Sequence, residues 1–420
     1  MSDKNNDLIF VQLASYRDPE LVPTIKDMIA KAKYPEKLTF GICWQKDETE
    51  NLDEFIGKPN FRIETYHYSE SQGLGWARNI TNKLYRGEKY TLQLDSHHRF
   101  IQDWDVMLME DYNQALTMAK KPIISTYCTP FDTKEPVEKA SQVPCLMSQY
   151  EFSNDRLLMS MPWYIQDYKT RNKVIRARTL SGHFFFVEGK FIEEVPYDPD
   201  IYFGGYTEET TMSVRAFTHG YDFFSPYRML MWHEYTRKYR PKHWDDHGKE
   251  SATKKTSGER DVYARNKTRQ LFGQEEHGID MGIYGLGKER TLHDYEVYGG
   301  FNFKACRIQD YTLLVKEAPN PSDWEEQFKK ERLKMNVSWD VGHFIEEDTG
   351  DFEFITFGIV DKYNTNLYRM DFKPSTHPDI FKYRKSSVDV EIIADNPPER
   401  VVMYSYSKSK QWGKRYEKKI

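Results

Sequence analysis

The residues with most chemical promise lie in Leu92-Gln93-Leu94-Asp95-Ser96-His97-His98-Arg99-Phe100. The pattern is a buried strand that ends in a carboxylate and an imidazole at positions i and i+2, which project to one side of an extended chain. Asp95 and His97 can therefore meet a divalent ion just beyond the strand's carboxyl end, where an open α/β sheet holds its ligand. A hard carboxylate beside a borderline imidazole, with the rest of the shell open, suits Mn²⁺ or Mg²⁺ on a diphosphate better than a closed structural zinc site. Because the triplet is short, a turn-capping Asp95 with surface histidines is the plain alternative.

Four further groups bear on that choice. Ser15-Tyr16-Arg17-Asp18 follows the first apolar run. It offers a ring for stacking, Asp18 for a base or ribose edge and Arg17 for phosphate, or else an ion pair beside a helix cap. Gly73 and Gly75 open a helix carrying Arg78 and Asn79. The third glycine of a dinucleotide fingerprint is absent, so we read the pair as permitting close backbone approach to a ligand, with Arg78 and Asn79 toward sugar or phosphate. A solvated Arg78 on a glycine-relaxed helix start is the competing reading. Glu208 and Glu209 follow Gly204-Gly205, where acids either answer the helix dipole or bind sugar hydroxyls. Met231-Trp232-His233 ends a strand with a possible third ion ligand, and Arg237, Lys238 and Arg240 beyond it could neutralise a leaving diphosphate.

The elements that must position these groups alternate strand and helix over the first 130 residues. Leu8 to Ala14, Leu38 to Trp44, Phe61 to Tyr66, Thr91 to Asp95 and Ile123 to Tyr127 read as strands. Helices are expected after Asp18-Pro19-Glu20, over Gly75 to Leu84 and over Trp104 to Ala119, giving a mostly parallel, helix-covered sheet. Asp132 to Thr179 is irregular; Leu180 to Val187, which includes His183, is strongly β-prone; Glu208 to His219 is helical. Tyr239 to Gly282 is polar, with a loop around Gly248 to Gly258. Beyond about Asp310, the segments from Val337, Phe352, Leu367, Val388 and Val401 form short β-prone runs between turns, as in a small all-β module.

The 60 basic and 65 acidic residues leave a net charge of −5, which gives no electrostatic footprint for nucleic acid. No apolar run is long enough to span a bilayer and the polar start shows no secretory signal. Cys43, Cys128, Cys145 and Cys306 are scattered without a C-x-x-C, as expected of reduced thiols in a cytoplasmic protein.

With these segments in hand, the chain resembles the GlcNAc-transferase-like glycosyltransferases that include the Skp1-hydroxyproline N-acetylglucosaminyltransferases. The resemblance is carried by Ile9 to Pro19, Gly41 to Gln45, Gly73 to Asn79, Asp95-Ser96-His97, Val195 to Pro199, Glu208-Glu209, Thr218 to Phe224, Tyr284 to Gly287, and Arg290 with Asp294 to Glu296. It covers roughly residues 8 to 303, and its D-x-H is similar to that of polypeptide GalNAc-transferases. It implies a GT-A fold over 1–308 with a β-rich accessory domain over 309–420, and a retaining transfer of a sugar, GlcNAc, from a UDP-sugar to a protein or glycan hydroxyl. By the same resemblance Asp95, His97 and His233 hold Mn²⁺ or Mg²⁺ and Ser15, Tyr16 and Arg17 form the uridine pocket. Gly73, Gly75, Arg78, Asn79, Asp95 and Ser96 face the donor. Glu208, Glu209 and His183 are candidates to position the acceptor or support the reacting sugar. A sugar nucleotidyltransferase and a catalytically inactive carbohydrate-binding protein are the rival classes; the oligomeric state is not legible.

Overall fold

A computed structural model describes residues 7–202, 207–248, 255–321, 323–324, 328, 331–340, 352–383, 385–394 and 397–420. The chain divides into two units, Met1–Ser322 and Asp323–Ile420.

The first unit begins with β1 (Ile9–Tyr16), α1 (Leu21–Lys31), β2 (Leu38–Lys46), β3 (Phe61–His67), α2 (Leu74–Lys83) and β4 (Tyr90–Asp95). There follow β5 (His98–Phe100), α3 (Trp104–Leu116), β6 (Pro122–Ser125), β7 (Thr129–Pro130), β8 (Cys145–Phe152), β9 (Leu158–Tyr164), β10 (Ile175–Ala177) and β11 (Phe184–Glu188). A short α4 (Phe191–Glu194), then α5 (Thr207–Thr218), β12 (Asp222–Ser225) and β13 (Met231–His233), complete the part that builds the site.

Eight strands form the main sheet in the order β10-β12-β6-β11-β4-β1-β2-β3. β1 is parallel to β2 and β4, and β11 runs antiparallel between β4 and β6. This is the mostly parallel, helix-covered sheet expected from the sequence. β11 shows why its strands read as unbroken apolar runs. Phe184 and Phe186 enter one core with Leu92 and Trp104, while Phe185 and Val187 enter a second core with Val214 and Tyr221. A strand covered on both faces has no polar side to display.

The second unit is the expected β-rich module. Glu331–Asp340 pairs with Lys385–Ala394, and Phe352–Val360 lies between Asn366–Phe372 and Arg400–Ser407. Its core joins Trp339, Phe357, Phe372 and Val390. The expected extension of the first of these strands through residues 341–345 lies outside the described residues.

Three local differences from the sequence reading stand out. The stretch Asp132 to Thr179 contains the β8–β9 hairpin. The polar stretch after Tyr239 contains a helix, Ser257–Leu271, begun by a capping box between Thr256 and Glu259. Helix α1 has Glu20 at its N-cap without a side-chain cap; Asp18 accepts the Glu20 N–H but turns its carboxylate elsewhere. All four cysteines are free, and among the described residues no helix is long and apolar enough to cross a membrane.

Candidate active site

β1 and β4 are adjacent and parallel, so their carboxyl ends bring Tyr16 to Asp18 and Asp95 to His97 to one edge of the sheet. His233, far along the chain, is delivered by a separate three-stranded sheet. There β13 pairs antiparallel with β5 and parallel with β7, which sets His233 opposite His98, next in sequence to His97. Ligand atoms of Asp95, His97 and His233 all lie within 4.8 Å of one another. The Nε2 atoms of His97 and His233 stand 3.6 and 3.3 Å from Asp95 Oδ2.

These residues fit a divalent ion. His97 is buried and its Nε2 has no hydrogen-bond partner among the described residues, although its Nδ1 lies 2.8 Å from the Asp18 carboxylate. A buried imidazole nitrogen left unpaired is costly unless another group takes its lone pair, as a divalent ion would. Burial pushes His233 well below its ordinary pKa, so it is the neutral imidazole that metal ligation requires. Burial would raise the Asp95 pKa, but the hydrogen bond from His233 and the charge of Arg78 outweigh it and hold the carboxyl well below its usual range.

Arg78 is a structural hub. It is fully buried, and its guanidinium donates to the Leu94 carbonyl at 3.0 Å, to Asp95 Oδ1 at 2.6 Å and to the Gly182 carbonyl at 2.8 Å. Its Nε lies 3.3 Å from Glu208 Oε1, which also accepts the Tyr197 hydroxyl at 2.7 Å. The guanidinium thus faces inward, fixing both carboxylates from behind. Asn79 likewise donates to the Tyr197 carbonyl at 2.8 Å. The two glycines admit the chain's own backbone and side chains. A Cβ on Gly75 would sit 2.3 Å from the Ile201 carbonyl oxygen, and one on Gly73, whose φ is +107°, would meet the Tyr202 ring at 2.6 Å.

Behind this layer sit His183 and Glu209. Both His183 ring nitrogens are engaged: Nδ1 with the Ser181 hydroxyl at 2.9 Å, Nε2 with the Cys128 N–H at 3.1 Å. Its ring stacks on His233 at 4.2 Å. Glu209 accepts from Gly182 N at 2.9 Å and from the Tyr127 hydroxyl, and burial pushes its pKa up to about 8. Of the three candidate catalytic groups, Glu208 alone has a carboxylate oxygen, Oε2, to which no described residue donates a hydrogen bond. Gly204, Gly205 and Tyr206 lie outside the described residues.

At the carboxyl end of β1, Tyr16 donates to Asp246 at 2.7 Å, and Arg17 is gripped between Asp47 and Asp246, each at 3.0 Å. Ser15 is buried, with its hydroxyl unpartnered among the described residues. Asp95, Ser96 and His97 line a cavity of about 70 Å³ whose wall includes Tyr16, Gly73, Arg237, Arg240 and Lys242. A second cavity of about 550 Å³ shares Arg240 and is lined by Arg17, Asp18, Asp47 and Tyr239. Lys242 and Asp246 were not among the site residues chosen from sequence, and the polar composition of 239–282 gave no signal for either.

The chain matches the family described as Glycosyltransferase (GlcNAc) over residues 8–54 and 50–305. No curated protein matches it. Among solved structures, it is similar to Staphylococcus aureus TarS 1–349 in complex with UDP-GlcNAc, at 13% identity over 56% of this chain and 60% of that one, with a TM-score of 0.35. It is also similar to GalNAc-T7 with UDP, GalNAc and Mn²⁺, at 12% identity over 98% and 69%, with a TM-score of 0.46. The chain spans about 60% of the TarS 1–349 length, and likenesses at these scores carry no functional argument. The family match, which spans well over half of the chain, is a different matter: this protein belongs to the GlcNAc glycosyltransferase family.

Proposed function

We propose that the chain is a metal-dependent, retaining glycosyltransferase that moves a sugar, GlcNAc, from a UDP-sugar to a hydroxyl on a protein or glycan. The observation that carries this reading is the unpartnered, buried Nε2 of His97 aimed at Asp95 beside His233. Asp95, His97 and His233 would hold Mn²⁺ or Mg²⁺. Such an ion supplies positive charge to the donor's two phosphates as UDP departs.

The chain's own residues do the rest. Arg237, Arg240 and Lys242 in the cavity wall add positive charge for the diphosphate. Tyr16 and Arg17 flank the nucleoside, held in place by Asp246 and Asp47. Arg78 fixes the rotamers of Asp95 and Glu208 from the protein side, and Glu208 Oε2 receives a sugar hydroxyl. His183 and Glu209 act from behind, as packing for His233 and for the Gly182 backbone. With retention, the departing phosphate takes the acceptor's proton, so no side chain is assigned as general base.

The test is a screen of UDP-sugars for UDP release with Mn²⁺ and with EDTA. The reading expects release from UDP-GlcNAc that EDTA abolishes and Mn²⁺ restores. Release that ignores EDTA contradicts the metal, and release from another UDP-sugar in preference corrects the donor.

A further inference from the structure

The carboxylate of Asp18 is the point where three distant segments meet. Its side chain is 0% exposed. Oδ2 accepts from the Ser96 hydroxyl at 2.6 Å and lies 2.8 Å from His97 Nδ1. Oδ1 accepts from the Glu20 N–H at 3.0 Å and from the Tyr239 hydroxyl at 3.1 Å. The Arg240 guanidinium lies 3.4 Å from Oδ2. Every one of these neighbours can donate or is a cation, so Asp18 is an ionised acceptor with no face left for a base or ribose. Its sequence-based role at the nucleoside is therefore replaced by another.

We infer that Asp18 is the positioning residue of the ion site: it holds the His97 proton on Nδ1, leaving the Nε2 lone pair for the ion, and tethers the Tyr239–Arg240 wall with the same carboxylate. This rests on the metal reading above. A carboxylate that takes the distal N–H of a ligating histidine sets both its tautomer and its ring orientation. Here the same group also links the order of the ligand to that of the basic wall.

Asp18→Asn tests it sharply. An amide must turn its NH₂ toward one pair of donors. The Glu20 backbone N–H bonded to Oδ1 can only donate; at Oδ2 the Arg240 Nε, 3.4 Å away, makes no hydrogen bond, the Ser96 hydroxyl can rotate and His97 can change tautomer. The NH₂ therefore faces His97, whose Nδ1 must accept, and the proton moves to Nε2, where it opposes the ion. The experiment uses the full chain stripped with EDTA. Mn²⁺ binding is followed by calorimetry, the His97 tautomer by ¹⁵N-histidine NMR, and the fold by circular dichroism.

Wild type is expected to show the Nδ1–H tautomer, and Asp18→Asn the Nε2–H tautomer with Mn²⁺ bound about 10–100-fold more weakly. Tyr239→Phe, which leaves the His97 bond intact, is expected to keep the wild-type tautomer and Mn²⁺ affinity while speeding amide exchange over residues 237–242. An Nε2–H tautomer in wild type overturns the inference even if Asp18→Asn does not fold, as does unchanged exchange in Tyr239→Phe. Mn²⁺ binding by wild type that Asp18→Asn retains undiminished overturns this inference alone. No Mn²⁺ binding by wild type overturns the metal reading and this inference with it.

Discussion

Single residues at this site divide by the direction they face. Asp95 and His97 line the cavity at the sheet edge and His233 stands buried beside Asp95, whereas Arg78 faces the protein interior and pairs with Asp95 from there. That distinction sets two different expectations. Replacing His233 by Ala removes a candidate ion ligand, so Mn²⁺ affinity by calorimetry should fall more than tenfold; it also removes the hydrogen bond to Asp95 and the stacking on His183, so the metal-free unfolding midpoint should fall too. Replacing Arg78 by Leu leaves Asp95 and Glu208 buried without their cation. Breaking such a pair costs about 3–5 kcal/mol, to be read by urea denaturation. Asp95-x-His97 was legible because its logic is local to three residues. The role of Arg78 was not, since a helix-start arginine gives no sign of being swallowed by the fold. The contacts of Asp18 were not legible for a related reason: its partners lie 78, 79 and 221 residues away.

Glu209 brings a pH dependence. Its pKa is raised from 4.5 to about 8 by burial, so between those values the folded chain holds a proton that the unfolded chain has released. Stability then falls as pH rises from about 4.5 to about 8 and levels off above it. Glu209→Gln should remove that portion of the decline in denaturant melts across this window. A variant whose pH profile overlays wild type would refute the buried, protonated carboxyl.

Elements show where pattern reading succeeds and where it fails. Strands such as β1, β2 and β4 were legible because two-sided burial writes an unbroken apolar run. The strand ending in His233 was read too, but its pairing into the small β5–β13–β7 sheet was not, since these strands are two or three residues long and their pairing is wholly non-local. The Ser257–Leu271 helix was missed because it has few apolar residues, with Ala264 and Leu271 among its few buried positions. Only its capping box announces it. Thr256→Ala should therefore cost about 1 kcal/mol, measured by thermal unfolding. Gly75→Ala tests the approach of α2 to the 198–201 backbone. With carbonyl oxygens 2.3 and 2.6 Å from the added Cβ, neither side can yield cheaply, and a loss of about 1–3 kcal/mol is expected in the same assay.

At the scale of the whole molecule, each unit has its own apolar core, and the candidate ion site lies wholly in the first. An ion bound only by the folded state stabilises it by mass action, about 2.7 kcal/mol at a hundred times its Kd. Mn²⁺ should raise the melting temperature of wild type and leave that of His233→Ala unmoved. The overall α/β class and the β-rich end were legible from repeated strand and helix patterns and from turn spacing. The meeting of 95–97 with 233 was expected through His233 as a possible third ligand and the family resemblance, but that of 18 with 239–242 was not, because it is a property of the tertiary arrangement alone.

The central claim is that Asp95, His97 and His233 share one ion beside the donor diphosphate. Anomalous diffraction at the manganese edge, from crystals soaked with Mn²⁺ and UDP, tests it most directly. The account expects one strong peak within bonding distance of Asp95 Oδ2 and both imidazole Nε2 atoms, with the UDP phosphates on its open side. A peak bound elsewhere, or UDP bound with no peak among these three residues, would contradict it.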